Sequence, residues 1–494
     1  MESFYDLFKA ASVRYPASAI HFPDEGKHFS YAEFLAGVDA CAGELTARGI
    51  DRGDRVALFG QNTSYWMQHF FALFKIGAVA VPISAKSVEE DIRYIIDTAG
   101  VKLLLRLDDG PKYVVCPPVR RPGPDRSDPA TGDLQLIMFT SGTTANPKGV
   151  MHTAGSLRNS AFDYMRTIRL DERDVMLLNL PISHCYGCVL NCCSFFLAGA
   201  SMVVSRSYTP RGTLRLIEKY RCTVLNMVPT MYQLLFTSEL TGRYDLSSVR
   251  KAVVGGSYTS QELVDSMGGA FGPQSVLCGY GMTECASWAI AQSFDDPASE
   301  RGNSAGKPVG NMEARIAPGY DLFEDGIQEG ELCLRGKGMM KGYLDDAMTA
   351  ASYDEEGWFH TGDVARRDAA GRYWIVDRCK DMIIKGGDNI SPKHVELVLD
   401  GFRGIEGSQV VGIPDAVYGE RIVAVLTRSQ AEKTDLKALV PYLTLRLARN
   451  RRPDFFVALD EIPVTGVGKV NKQAIRKLVG SHMDDLQRNR INYL

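Results

Sequence analysis

The sequence predicts an α/β protein of two or more domains, its larger part built on parallel sheet covered by helices. Three observations carry this. At 494 residues the chain exceeds what one hydrophobic core supports. Between about residues 30 and 105, helical and strand patterns alternate: Tyr31 to Arg48 and Tyr65 to Lys75 read as helices, Arg55 to Phe59 and Val79 to Pro82 as strands. Such alternation implies parallel strands joined by helices. Finally, no Asp, Glu, Lys or Arg lies between Asp174 and Arg206. A buried crossover of strand (Val175 to Leu180), helix (about Cys188 to Leu197) and strand (Ser201 to Ser205) explains that gap. Asn179, Pro181, His184, Asn191 and Gly199 interrupt it, so it is not read as a membrane span.

Composition narrows the class. An apolar fraction of 45% and a charged fraction of 23% are those of an ordinary globular protein. A formal net charge of −3 gives no case for nucleic acid or an anionic membrane surface. The opening residues Met1 to Asp6 carry acids and no apolar core, unlike a signal peptide. Eleven Cys, an odd number, suggest reduced thiols and a cytoplasmic location.

The chain then runs through a connection, Pro117 to Ala130, that holds five Pro and leads to the apolar run Leu134 to Phe139. Thr140 to Gly149 follows, reading TSGTTANPKG. A strand that empties into Gly and hydroxyl residues can wrap phosphate oxygens with N–H and O–H groups, with Lys148 as a point charge. It is not the Walker loop, because Lys148 precedes Gly149 and no hydroxyl follows it.

Leu180 to Gly187 (LPISHCYG) puts His184 on a Pro/Gly-bounded turn after a strand. Cys185, Cys188, Cys192 and Cys193 lack a second, separate CxxC pair, so they read as small buried or pocket-lining residues rather than a zinc site. Val249 to Gly256 is a strand ending in a double Gly. Ser275 to Glu284 (SVLCGYGMTE) repeats the theme. Its glycines admit a planar ring close to the backbone, Tyr280 can stack on a base, and Thr283 beside Glu284 suits a phosphate and its Mg²⁺.

Gly330 to Gly336 and Gly342-Tyr343 mark a smaller β-rich part, and Gly357 to Asp363 (GWFHTGD) ends in a carboxylate able to accept two ribose hydroxyls. Arg372 reads as plain surface charge. Charge clusters at Asp377 to Asp381, and Gly386-Gly387 precede a helix from Lys393 to about Asp400. A polar, Gly-flanked joint of this kind reads as a domain boundary and hinge. Strands at Gln409 to Ile413 and Ile422 to Leu426 follow, then a helix from Leu436 to Arg449 kinked at Pro441. Pro463 to Lys469 (PVTGVGK) closes the pattern.

TSGTTANPKG closely resembles the phosphate loop of the adenylate-forming superfamily: acyl-CoA synthetases, aryl-CoA ligases, luciferases and peptide-synthetase adenylation domains. Gly279 to Glu284 matches its YGxTE motif, Thr361 to Asp363 its TGD motif and Pro463 to Lys469 its P-x-T-x-x-GK motif. Six motifs stand in family order over essentially the whole chain. The resemblance implies a large N-terminal domain, residues 1–379, of two packed αβ sheets plus a small β-barrel, and a small mobile α+β C-terminal domain, 380–494. It implies that a carboxylate attacks the α-phosphorus of MgATP, giving acyl-AMP and pyrophosphate, and that a pantetheine thiol then displaces AMP. The thiol belongs to coenzyme A or to a carrier protein.

It also implies the site. ATP would lie against Thr140, Ser141, Gly142, Thr143, Thr144, Lys148, Gly256, Ser257, Gly279, Tyr280, Gly281, Met282, Thr283, Asp363 (ribose), Ile375 and Arg378 (ribose), with Glu284 holding Mg²⁺ and Lys469 as the adenylation lysine. His184, Cys185, Tyr186, Cys188, Val254, Gly255 and Gly279 would line the acyl pocket, Lys385, Gly386 and Gly387 the pantetheine passage, and Lys380 the hinge. His184, Thr283, Glu284 and Lys469 are the catalytic candidates.

Amino-acid-activating relatives place an Asp near the His184 segment, and Ile182 to Leu197 contains no acid. An unpaired buried ammonium costs several kcal/mol, so the expected substrate is a fatty or aryl acid, processed by an acid–CoA ligase. Alternatives are a stand-alone enzyme loading a carrier protein, a luciferase-like oxygenase, or a nucleotide sensor. The sequence leaves monomer and homodimer both open.

Overall fold

The computed structural model describes residues 3–116, 134–140, 147–237, 240–317, 326–378, 381–385, 388–415, 418–464, 470–486 and 491–493. The chain divides into two compact units. The first comprises Met1–Arg315, Cys333–His360 and Arg367–Trp374; the second comprises Ile316–Leu332, Thr361–Arg366 and Ile375–Leu494.

Alternation of pattern becomes two large sheets in the first unit. Among the described residues, one has the strand order Lys307–Pro308, Ile290–Ala291, Val276–Tyr280, Lys251–Val254, Val224–Met227, Val175–Leu178, Ser201–Val204, Ala19–Phe22, Lys27–Ser30. The other runs Gly342–Tyr343, Lys148–Thr153, Leu134–Thr140, Val79–Ser84, Arg55–Gly60, Leu103–Arg106, Lys112–Val115. Their central strands are parallel and buried along nearly their whole length, as expected of strands covered by helices on both faces.

Helices Phe4–Arg14, Tyr31–Ala47, Ser64–Ile76 and Ser194–Ala198 share an aromatic core in which Phe8, Phe71 and Phe196 meet. Their starts are fixed locally: Ser3 and Ser30 form capping boxes and Thr63 caps Trp66. The buried side chain of Asn62 ties the two sheets' loops together. Its Nδ2 donates to the carbonyls of Leu180 (2.9 Å) and Ser205 (3.0 Å), and its Oδ1 accepts from the Ile182 N–H (3.0 Å).

The charge-free segment folds as the predicted crossover, with one difference. Residues Tyr186–Cys193 wind as a π-helix before a short α-helix, Ser194–Ala198. Asn191 Nδ2 donates to the Tyr186 carbonyl (2.6 Å) and Cys193 Sγ to that of Cys188 (3.3 Å). Polar groups placed five residues apart thus bond within the wider turn, which is favoured at functional sites.

The small β-rich part is a four-stranded sheet in the order Met312–Ile316, Gln328–Gly336, Phe359–Arg367, Tyr373–Arg378, its residues divided between the units. The second unit has its own sheet, Asp388–Ile390, Ile383–Lys385, Gly419–Thr427, Phe455–Leu459, Ile491–Tyr493, with Gln409–Asp415 also paired to Gly419–Thr427. Helices Pro392–Asp400, Leu436–Arg446 and Lys472–Gly480 accompany it, and two apolar clusters form its core. The helix containing Pro441 ends at Arg446, three residues short of the sequence expectation, and a 3₁₀ turn, Arg449–Arg451, follows. Among the described residues no helix is long and apolar enough to cross a membrane.

Candidate active site

Strands Val224–Met227, Lys251–Val254 and Val276–Tyr280 are parallel neighbours, with Val254 opposite Cys278. The residues that follow them emerge together at the carboxyl edge of the sheet, where open α/β folds bind ligands. Gly255 and Gly279 meet there: a Cβ on Gly255 would stand 2.7 Å from the Gly279 carbonyl oxygen, and one on Gly279 would stand 2.5 Å from the Trp288 ring. A Cβ on Gly281 would overlap the Ser287 carbonyl, and one on Gly187 that of Pro181. Gly255, Gly279 and Gly281, which the sequence associates with ligand approach, are, like Gly187, already required by the protein's own packing.

The turn after them is strained. Ala286 and Ser287, neither a glycine, have φ of 50° and 71°, a region that costs about 1–3 kcal/mol per residue and clusters at active sites. Two contacts hold it. Ser160 Oγ donates to the Ala286 carbonyl (2.9 Å), and His152 Nε2 lies 2.7 Å from the Thr283 carbonyl oxygen. A carbonyl only accepts, so the ring proton sits on Nε2 and leaves Nδ1, 3.2 Å from Ser156 Oγ, as the acceptor. Burial pushes the His152 pKa down to about 4, which keeps the ring neutral in that role.

Glu284 is 7% exposed. The Tyr343 hydroxyl donates to its Oε1 (2.8 Å), and its backbone carbonyl accepts from the Met340 N–H (2.7 Å). Burial, then the Glu284 charge, pushes the Tyr343 hydroxyl pKa upward, so it remains a donor. Lys148 Nζ stands 5.3 Å from the Tyr343 ring centroid, within cation–π range. Lys148 in turn pairs with Thr140 across the hairpin of Leu134–Thr140 and Lys148–Thr153. One linked set, Thr140, Lys148, Tyr343 and Glu284, therefore joins the end of one sheet to the turn at the edge of the other. Tyr343 and His152 have no role in the sequence reading. Only position could have shown them, since a Tyr and a His on separate strands signal nothing by spacing.

The His184 segment adjoins this turn. Burial raises the Cys185 thiol pKa, as do Cys285 and Glu284, while Ser287 lowers it. Cys185, Cys188, Cys192 and Cys193 are at most 2% exposed, and burial raises all four thiol pKa values, leaving them inert as nucleophiles. The Tyr186 hydroxyl is buried with no hydrogen-bond partner among the described residues. Beneath it runs a satisfied polar ladder: Asn191 Oδ1 accepts from Asn226 Nδ2 at 2.5 Å, and Asn226 Oδ1 accepts from the Tyr164 hydroxyl.

Within the second unit, Asp363 is 4% exposed on a turn where Gly362 has φ +72°. Its N–H donates to Thr361 Oγ1 (3.1 Å), which donates to the Leu332 carbonyl (2.7 Å), and the Gly362 N–H donates to Glu331 Oε1 (3.0 Å). Ile375 and Arg378 lie on the strand Tyr373–Arg378. Asp377 caps the helix Pro392–Asp400, accepting from Ser391 Oγ (2.7 Å) and the Lys393 N–H (3.0 Å), where negative charge is favoured. The Lys385 ammonium is engaged by Asp454 (2.6 Å). Ser141, Gly142, Thr143, Thr144, Lys380, Gly386, Gly387 and Lys469 lie outside the described residues.

Mg²⁺ takes oxygen ligands and is commonly held by one or two carboxylates plus substrate phosphates. A buried carboxylate at Glu284 beside the Thr283 hydroxyl fits that requirement. Among the described residues no cluster of three or more His, Cys, Asp or Glu forms a self-sufficient metal cage.

Residues 7–344 match the family described as AMP-binding enzyme, and residues 394–469 match the AMP-binding enzyme C-terminal domain. A feruloyl-CoA synthase of an Amycolatopsis species is 32% identical over 92% of this chain and 95% of that protein. A long-chain-fatty-acid–CoA ligase of Mycobacterium tuberculosis is 30% identical over 95% of this chain and 97% of its own length. The crystal structure of ATP-bound MatB from Rhodopseudomonas palustris superposes with a TM-score of 0.84 at 26% identity, covering 96% of this chain and 99% of that one. With the main body and the C-terminal domain both matched, in order and over most of its length, this chain belongs to the AMP-binding enzyme family.

Proposed function

We propose that the chain is an AMP-forming acid–CoA ligase acting on an apolar fatty or aryl acid. The observation that carries this is the linked set Thr140, Lys148, Tyr343 and Glu284 at the edge where Gly255 and Gly279 meet. In the first half-reaction an oxygen of the substrate carboxylate bonds to the α-phosphorus of ATP, and the bond from that phosphorus to pyrophosphate breaks. In the second, the CoA sulfur bonds to the acyl carbonyl carbon, the C–O bond to AMP breaks, and the thiol proton leaves to solvent.

The carboxylate is already ionised at neutral pH, so the first step needs no general base. It joins two anions, and its barrier falls through charge neutralisation and alignment. Lys148 and the hydroxyls of the Thr140 loop would neutralise phosphate oxygens, and Tyr343 holds Glu284 in place by its 2.8 Å bond. Mg²⁺, held by Glu284, would supply Lewis-acid charge to the phosphates. His152 positions the Thr283 turn. Asp363 would accept the ribose hydroxyls, and Lys469 would reach the reacting phosphate. Asp363→Ala should weaken ATP binding by about 1.5–3 kcal/mol for each charged bond lost. An unchanged apparent ATP affinity would remove Asp363 from the ribose site.

The acyl pocket would lie along His184, Cys185, Tyr186 and Cys188, a stretch without a carboxylate. A pyrophosphate-release screen with MgATP over alkyl, aryl and α-amino acids tests this. An apolar alkyl or aryl acid should turn over and α-amino acids not at all. Efficient activation of an α-amino acid would overturn the pocket assignment.

A further inference from the structure

Asp363 owes its place to an irregularity in its strand. Phe359–Arg367 runs as a strand on both sides of it, yet Gly362 within that strand stands at φ +72°. Left-handed backbone breaks the extended repeat, as in a glycine bulge, and re-aims the side chain beside it. The residue that follows is Asp363, which is buried. Packing does not enforce the break, because a Cβ on Gly362 would meet nothing within 4 Å. In this it differs from Gly255, Gly279 and Gly281, where neighbouring groups already occupy the space.

Two side chains hold the break instead. Glu331 Oε1 accepts from the Gly362 N–H (3.0 Å). Thr361 Oγ1 accepts from the Asp363 N–H (3.1 Å) and donates to the Leu332 carbonyl (2.7 Å). Glu331 is itself fixed in the adjacent strand Gln328–Gly336, where its backbone carbonyl accepts from the Ala317 N–H (2.8 Å). A carboxylate bonded to a backbone N–H is among the stronger hydrogen bonds. Glycine populates positive and negative φ about equally, so without that grip the turn has another conformation open to it.

We propose that Glu331 is a positioning residue for Asp363: by holding the Gly362 N–H it keeps the Asp363 carboxylate in the orientation that accepts the ribose hydroxyls of ATP. Thr361 acts with it on the following N–H. The inference rests on the reading of Asp363 as the ribose acceptor, and it gives Glu331 no contact with the nucleotide.

Pyrophosphate release is measured with ATP and with dideoxy-ATP, which lacks both ribose hydroxyls, using the fatty or aryl acid that turns over fastest. The readout is the ratio of kcat/KM for the two nucleotides. Glu331→Ala should lower kcat/KM for ATP by about tenfold, the equivalent of one charged hydrogen bond, and leave that for dideoxy-ATP nearly unchanged. The ratio thus falls toward that of Asp363→Ala. General loosening of the fold would lower both nucleotides alike and leave the ratio where it was. Glu331→Gln, whose amide oxygen can accept the same N–H, should restore the ratio. Thr361→Val, similar in shape but without the hydroxyl, should lower it and decides the matter where Glu331→Ala does not fold. Adding Glu331→Ala to Asp363→Ala should lower the ratio no further, since the two act through one contact. A wild-type ratio in folded Glu331→Ala, or in Thr361→Val in its place, while Asp363→Ala loses it, would overturn this inference alone. A wild-type ratio in Asp363→Ala as well would remove the ribose reading and the inference with it.

Discussion

Lys469→Ala is expected to lose acyl-AMP formation by about 10²–10³-fold, the cost of removing one group that stabilises charge developing in the transition state. It should still convert supplied acyl-AMP to thioester. The reason is a division of labour within the C-terminal part. Lys469 ends the PVTGVGK motif and would serve adenylation, whereas Gly387 lies on the passage that would admit the thiol. We propose that this part turns about Lys380 between the steps. Lys380→Pro would fix φ at the joint and remove an N–H, so it should show the opposite pattern, releasing pyrophosphate while losing thioester. Half-reaction assays on both variants decide it. Equal loss of both steps in each folded variant would mean that one domain arrangement serves both.

Glu284→Gln is expected to slow pyrophosphate release by about 10²–10³-fold, the equivalent of several kcal/mol of charge stabilisation by a metal ion. Glutamine can still accept from the Tyr343 hydroxyl, which lies 2.8 Å from Oε1 in the native protein, so the substitution removes charge while keeping the local hydrogen bond. The Mg²⁺ concentration for half-maximal rate should rise, and thioester formation from supplied acyl-AMP should persist. An unaltered Mg²⁺ dependence would transfer the metal role from Glu284 to another group.

Much of this architecture is legible in the sequence because it rests on pattern. Helix and strand periods locate Tyr31–Ala47, Ser64–Ile76 and Val276–Tyr280 to within a few residues. The missing charge between Asp174 and Arg206 marks the buried crossover. What the sequence hides depends on spatial neighbours. The π-helix at Tyr186–Cys193 has the composition of any apolar helix. Ala286 and Ser287 adopt left-handed φ although neither is the glycine that would announce it.

Reasons can differ even where positions agree. Gly279 and Gly281 are explained by Trp288 and Ser287 pressing on them, a constraint invisible without the turn that brings those groups back. Arg372, which reads as surface charge, closes a turn by pairing with Asp368 at 2.8 Å. Lys385 sits beside the glycine pair assigned to the thiol passage, yet its ammonium is engaged by Asp454. Tyr343 and His152 are set against the Thr283-Glu284 turn by strands far apart in the chain, and no local motif encodes that meeting.

The central claim, that one site makes an acyl-AMP and then discharges it to a thiol, is tested most directly by a single-turnover experiment. Enzyme is mixed with MgATP and the fatty or aryl acid that turns over fastest, without thiol, quenched, and its nucleotides and acyl species are identified by mass spectrometry. The account predicts up to one bound acyl-AMP per chain with equimolar pyrophosphate and no ADP. On a later addition of CoA, acyl-CoA and AMP should appear in equal amounts, and a carrier protein added in its place should leave the acyl-AMP intact. Formation of ADP, or acyl-CoA without a preceding acyl-AMP, would contradict the two-step account, and discharge to the carrier protein alone would contradict CoA as the acceptor.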